Sequence, residues 1–189
     1  MLDITRWPSA GNLRHLVDLY FDPAQERLRA ALVNRGAMNQ REFEWGVARL
    51  LNLLGVPTAW YGKGAAEGKP DLGGYIEGGP VILAECTLEK PAEKFSGLAQ
   101  RTKQLQEQLG RETEVLSVVF TRADTVASEK QQAREHGLVV VGQTDLRQLL
   151  KLVESGLGTG EFLTFLEQLS SNLNFDPGMP LNGRWAPRW

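Results

Sequence analysis

The sequence predicts an α/β fold, a mixed β-sheet flanked by helices, with an N-terminal helical extension. Three observations predict it. Two apolar runs, at about 71–77 and 80–87, flank a Gly-rich turn, which is the signal of an antiparallel hairpin. The β-branched runs Val115–Thr121 and Leu138–Val141 enclose a short helical stretch, which implies a parallel crossover. Apolar stripes at helical spacing lie between and around these strands.

The elements follow in order. Residues 1–10, with Trp7 and Pro8, read as an irregular lead-in. Leu13, Leu16, Val17 and Tyr20 carry helical spacing over Asn12–Tyr20. Asp22-Pro23 starts a second helix, Leu28, Ala31 and Leu32 give it an apolar side, and Gly36 ends it. The next helix begins at Asn39 or Gln40. Its stripe is Phe43, Val47, Leu50, Leu51 and Leu54, and Gly55 stops it. Val56–Tyr61 reads as a strand and 62–68 as a loop of small residues. After the hairpin, Pro91 opens a helix that runs to Leu109, with Gly110 as its stop. Helices over Ser128–His136, Asp145–Val153 and Glu161–Leu169 alternate with or follow the last strands. The predicted organisation is a helical extension (1–37), a core (38–155), and a C-terminal helix with a Pro- and Trp-containing tail (156–189).

Composition narrows the function classes. With 42% hydrophobic and 23% charged residues the chain is an ordinary globular one. A single cysteine, Cys86, rules out an internal disulfide framework and fits a reducing, hence cytoplasmic, location. No apolar run of about 18 residues exists to cross a membrane. Charges and Pro8 precede any apolar stretch at the N-terminus, which does not read as a secretory signal. The net charge of −2 offers no bulk attraction to nucleic acid, so phosphate contacts have to come from a local basic face.

The chemistry concentrates at the hairpin. Asp71 opens its first strand, and Glu85 closes the second after the apolar run Val81-Ile82-Leu83-Ala84. The open ends of an antiparallel hairpin lie side by side. Two carboxylates placed there repel unless a cation sits between them. Carboxylate oxygens suit Mg²⁺, with Mn²⁺ as substitute, and such ions suit phosphoryl chemistry. An Asp after Pro is also ordinary turn chemistry, so the weight falls on the pair.

Pro70-Asp71 followed by Glu85-Cys86-Thr87, 14 residues later (85 − 71), resembles the PD-(D/E)XK nuclease superfamily, and within it the Mrr-type restriction endonuclease-like proteins. The resemblance covers roughly residues 39–142 and implies the restriction endonuclease-like form of the predicted fold. It implies an upstream helix acid, found in Glu42-Phe43-Glu44. Glu44 is preferred because it lies beside Val47, Ala48 and Leu51 at about 100° per residue, and because the pattern places the acid directly after Phe. The implied metal set is Glu44, Asp71, Glu85 and the backbone carbonyl of Cys86. The Cys86 side chain itself alternates to the opposite face and reads as a small apolar filler.

One departure matters. The resembled pattern has Lys where this chain has Thr87, which shares the Glu85 face and has no positive charge. Lys90, Lys94 and Lys103 follow. Lys94 flanks the stripe of Phe95, Leu98 and Leu105 near the helix start, so it is the expected replacement, and Arg101 on the same margin is a phosphate contact. Lys63 and Lys69 are further candidates for nucleic-acid phosphates. Gly62-Lys63-Gly64 lacks the spacing of a Walker loop, and no Gly-rich strand-to-helix loop supports a nucleotide-binding fold. His15 and His136 lack metal-ligand spacing, and the terminal tryptophans read as packing residues rather than base stackers.

The expected function is metal-dependent hydrolysis of nucleic-acid phosphodiesters, DNA above all, with Asp71, Glu85 and Lys94 catalytic. The resemblance implies restriction, phage defence or repair, in a homodimer or a larger complex. The rival expectation is a catalytically inactive module of the same fold, docking DNA or protein in a larger assembly.

Overall fold

The computed structural model describes residues 25–33, 39–61, 69–110 and 113–171. The Asn12–Tyr20 helix, the 62–68 loop with Lys63, and the 172–189 tail lie outside them. The elements are α1 (Glu26–Val33), α2 (Gln40–Leu53), β1 (Thr58–Trp60), β2 (Leu72–Tyr75), β3 (Val81–Thr87), α3 (Ala92–Leu109), β4 (Val115–Thr121), α4 (Ala127–Glu135), β5 (Val139–Val141), α5 (Gln143–Glu154) and α6 (Thr159–Ser171). The mixed five-stranded sheet has the order β1-β2-β3-β4-β5. The β1/β2 and β2/β3 pairs are antiparallel, and the β3/β4 and β4/β5 pairs are parallel. This is the predicted hairpin followed by crossovers through α3 and α4.

Strand alternation sorts the core into two layers. Ile82, Ala84 and Cys86 of β3 face the larger cluster with Phe43, Leu50 and Leu51 of α2 and Leu146 and Leu149 of α5. Leu83 faces the smaller cluster with Phe95 and Leu98 of α3. The flanking helices share the larger layer: Leu28 and Leu32 of α1, and Phe162, Phe165 and Leu166 of α6, are buried in it. Among the described residues no helix is long and apolar enough to cross a membrane.

Local chemistry fixes the ends of the elements that frame the hairpin. Asn39 caps α2: its Oδ1 accepts from Glu42 N (2.9 Å), and the Glu42 carboxylate accepts from Asn39 N (3.5 Å). Gly55 adopts φ +81° just after α2, a conformation that favours glycine. On the far side of the sheet, buried Asp145 accepts from Gly142 N at the start of α5 and from Lys130 Nζ (2.8 Å), tying α4 to α5.

Candidate active site

The site grows out of the hairpin ladder. Leu72 pairs with Ala84, and the register carried one residue further sets Asp71 opposite Glu85. Ile76 N–H donates to Pro80 O (3.1 Å), so the hydrogen-bonded positions of this ladder are the even-numbered residues of the first strand. Asp71 and Glu85 therefore occupy a non-hydrogen-bonded position, where opposed Cα atoms approach to about 4.5 Å and side chains are closest. Both project to the α3 side, because Leu72 and Ala84 belong to the other layer.

One step further, Pro70 stands opposite Cys86. Proline has no N–H to offer, so the Cys86 carbonyl has no ladder donor and takes one from a side chain, and the Cys86 N–H also bonds to a side chain. The N–H donates to Asp71 Oδ2 (2.8 Å), and the carbonyl accepts from Gln40 Nε2 (2.8 Å). The first bond aims the Asp71 carboxylate at the end of β3. The second brings the start of α2 onto the same peptide.

Glu85 is only 4% exposed, and two cations of α3 converge on it. Lys94 Nζ donates to Oε2 at 3.1 Å, and the Arg101 guanidinium donates to Oε1. Seven residues separate the two cations on α3, two helical turns, so both lie on the margin that faces β3. Burial pulls the Lys94 ammonium down, but the charge and hydrogen bond of Glu85, with Asp71 behind them, outweigh it. The net effect holds its pKa above the ordinary 10.5. Asp71 is displaced in the sense of a crowded acid. Burial raises it above the ordinary 3.8, the Cys86 N–H works in the opposite direction, and the charge and hydrogen bond of Glu85 push it up again. Sequence reasoning brought Asp71, Glu85 and Lys94 together as candidates, and the three are in contact or adjacent.

Glu44 is 3% exposed and lies on the opposite layer, in α2, where its carboxylate accepts from Trp60 Nε1 at 3.0 Å. Glu42 is exposed and occupied by the α2 cap, which leaves Glu44 as the buried acid of the helix. Among the described residues no three His, Cys, Asp or Glu side chains are gathered into a group that could hold a metal ion. Burial pushes the Cys86 thiol well above 9.0, with Asp71, Glu44 and Glu85 adding to it, which makes it an inert filler and no nucleophile. Thr87 Oγ1 accepts from Glu89 N (3.2 Å), so the residue standing in the place of the pattern's Lys serves the strand-to-helix turn.

The remaining candidates sit around this centre. Lys69 lies over the Tyr61 ring, 5.4 Å from its centroid. Lys90 and Lys103 are exposed, and neither has a bond to the acid pair. Two residues that touch the candidate set had no signal in the sequence, Gln40 and Trp60. Each contributes one donor whose target is visible only once α2, β1 and β3 are packed.

The donor set suits a hard divalent cation: two carboxylates at the closest ladder position, Asp71 with a pKa raised by burial and then by Glu85, and a carbonyl oxygen beside them. No family model matches the chain, and no curated protein matches it. Among solved structures, the small subunit (R.BspD6I2) of the heterodimeric restriction endonuclease R.BspD6I is similar over 85% of this chain and 100% of that subunit, at 15% identity and a TM-score of 0.47. At that distance function has to be read from the site's own geometry.

Proposed function

We propose that this chain is a metal-dependent nuclease that hydrolyses phosphodiester bonds of nucleic acid, DNA in the first place. The observation that carries the reading is the opposition of Asp71 and Glu85 at the end of β3, with Lys94 Nζ 3.1 Å from Glu85. Asp71, Glu85 and the Cys86 carbonyl would hold Mg²⁺ or Mn²⁺, with Glu44 acting directly or through water. When bound, the ion lowers the pKa of a coordinated water and offsets charge on the scissile phosphate.

The chain's own groups do the rest. The Cys86 N–H and Gln40 fix the Asp71 carboxylate and the Cys86 carbonyl before substrate arrives. Lys94, charged throughout the neutral range, orients the attacking water or meets the developing negative charge. Arg101 turns from Glu85 toward the substrate phosphate. One water is consumed, its oxygen bonds to phosphorus, one P–O ester bond breaks, and a phosphate monoester and a hydroxyl remain.

A second reading is favoured by one observation. Lys94 and Arg101 together already neutralise Glu85 without any ion. A nuclease-fold module that docks nucleic acid or protein without cleaving would keep that arrangement. Cleavage of plasmid, linear duplex, single-stranded DNA and RNA with Mg²⁺ or Mn²⁺ separates the two. The nuclease reading expects cleavage by the wild type and none by Asp71→Ala, with far-UV circular dichroism unchanged. Wild-type protein that neither cleaves nor binds the ion in calorimetry would sink it and leave the docking module.

A further inference from the structure

Beside the acid pair an open groove of about 870 Å³ runs between α3 and the β1–β2 edge of the sheet. That volume falls among those of small-molecule clefts. Its helical wall carries Arg101, Gln104 and Gln108, at the i, i+3 and i+7 positions of one face of α3. Its other wall carries Tyr61, 43% exposed, with the Lys69 ammonium over its ring. Gly73 lies against that ring, and a Cβ there would come to 3.3 Å from Tyr61 Cε2. The absence of a side chain at Gly73 is what lets the tyrosine ring approach the strand this closely.

The charge of the groove points to its occupant. The chain has 23 acidic residues against 21 basic ones, yet among the described residues no Asp or Glu lines the groove, while Lys69 and Arg101 both do. The ligand that matches has a flat apolar face, an edge rich in hydrogen-bonding groups, and an attached anion. The partly exposed Tyr61 ring suits a nucleobase, whose stacking there would displace the Lys69 ammonium toward the attached phosphate. Carboxamides at Gln104 and Gln108 suit a base edge freed from pairing, and the two cations suit its phosphate. The groove is also continuous with the candidate centre, because Arg101 touches Glu85 and lines the groove at once.

We infer that this groove is a subsite for an unpaired nucleotide next to the scissile phosphate, with its base on Tyr61. The substrate class is then nucleic acid with a single-stranded segment, such as a free strand, a flap or a loop, in preference to continuous duplex. The position relative to the scissile phosphate rests on the nuclease reading, while the base subsite itself does not.

The test is binding of a short labelled single strand and of a blunt hairpin duplex of the same composition, by fluorescence anisotropy with the full chain in EDTA. The single strand is expected to bind more tightly than the duplex. Tyr61→Ala should weaken the strand about tenfold or more and leave the duplex unchanged, while Tyr61→Phe should retain the strand. Equal affinity for both probes, an equal loss for both on Tyr61→Ala, or no binding of the strand would each overturn the subsite. Parallel cleavage assays with Mg²⁺ keep the two ideas separate. Metal-dependent cleavage with no Tyr61 effect on strand binding leaves the nuclease and removes the subsite. Tyr61-dependent strand binding with no cleavage under any metal leaves the subsite and removes the nuclease.

Discussion

Lys94 donates to Glu85 across a strand-to-helix turn, with Nζ 3.1 Å from Oε2. The cation thus reaches the acid-bearing face of β3 from the first turn of α3, although β3 itself offers only Thr87 at the position two residues after the acid. A lysine two residues along a strand and a lysine on the following helix can serve one acid, because both routes end above the same sheet face.

That relationship makes Lys94 the residue whose loss separates charge from packing. Lys94→Ala is expected to lower the single-turnover cleavage rate about a hundredfold or more, the scale on which a donor aimed at developing charge acts. Lys94→Arg keeps a cation and should recover part of the rate. Equal rates for wild type and Lys94→Ala would send the search to Lys90 or Lys103.

Asp71 gives a prediction whose sign depends on pH. Its folded pKa lies above the ordinary 3.8, so the ionised carboxylate is disfavoured by folding. Its favourable contribution to stability is fully present below the unfolded value and is lost as pH rises through the raised folded value. In EDTA at neutral pH, Asp71→Asn should therefore raise Tm by roughly a few degrees, since the amide oxygen still accepts from Cys86 N. The gain should shrink to nothing as pH falls below 3.8. Added Mg²⁺ should raise the Tm of the wild type and leave the variant unmoved. A variant less stable than wild type at neutral pH would show that the attraction of the Cys86 N–H and Lys94 for the charged carboxylate outweighs the crowding.

The sheet and its hairpin were legible because β3 and β4 are buried on both faces and read as continuous apolar runs, while α2 and α3 carry one-sided stripes. The juxtaposition of Asp71, Glu85 and Lys94 was legible because the acids sit at known places on a ladder and the lysine at a known angle on a helix. The α1 and α6 helices were visible as elements, but their shared burial with β3–β5 was not, because a short apolar stripe does not name its partner. Gln40 and Trp60 were missed because a neutral donor carries no sequence signal of its own. Each matters only through a packed neighbour, Cys86 in one case and Glu44 in the other.

Trp60 tests the buried acid of α2. Its Nε1–H is 3.0 Å from a Glu44 oxygen that is almost wholly removed from water. Trp60→Phe keeps an aromatic ring and withdraws the donor, which should cost about 1–3 kcal/mol in urea unfolding, the range for stranding a buried polar group. Glu44→Gln combined with Trp60→Phe should cost less than the sum of the two single changes, because the residues share one bond. Additive losses would place the cost of Trp60→Phe in packing alone.

Gln40 tests whether the Cys86 peptide belongs to the ion site. Its carboxamide donates to the Cys86 carbonyl at 2.8 Å, a bond that exists because Pro70 leaves that carbonyl without a ladder partner. If the carbonyl is an ion ligand, Gln40 stands behind it as the group that orients it, and outer groups of that kind affect metal affinity by about ten- to a hundredfold. Gln40→Ala should then weaken Mn²⁺ binding in calorimetry by about tenfold, with a thermal stability loss of only about 1 kcal/mol for one partly buried bond. Gln40→Glu should do the opposite to affinity by adding a carboxylate beside the same peptide, although it strips the donor from the carbonyl. Unchanged Mn²⁺ affinity in both variants would confine Gln40 to holding α2 against β3, and would remove the Cys86 carbonyl from the proposed ion ligands.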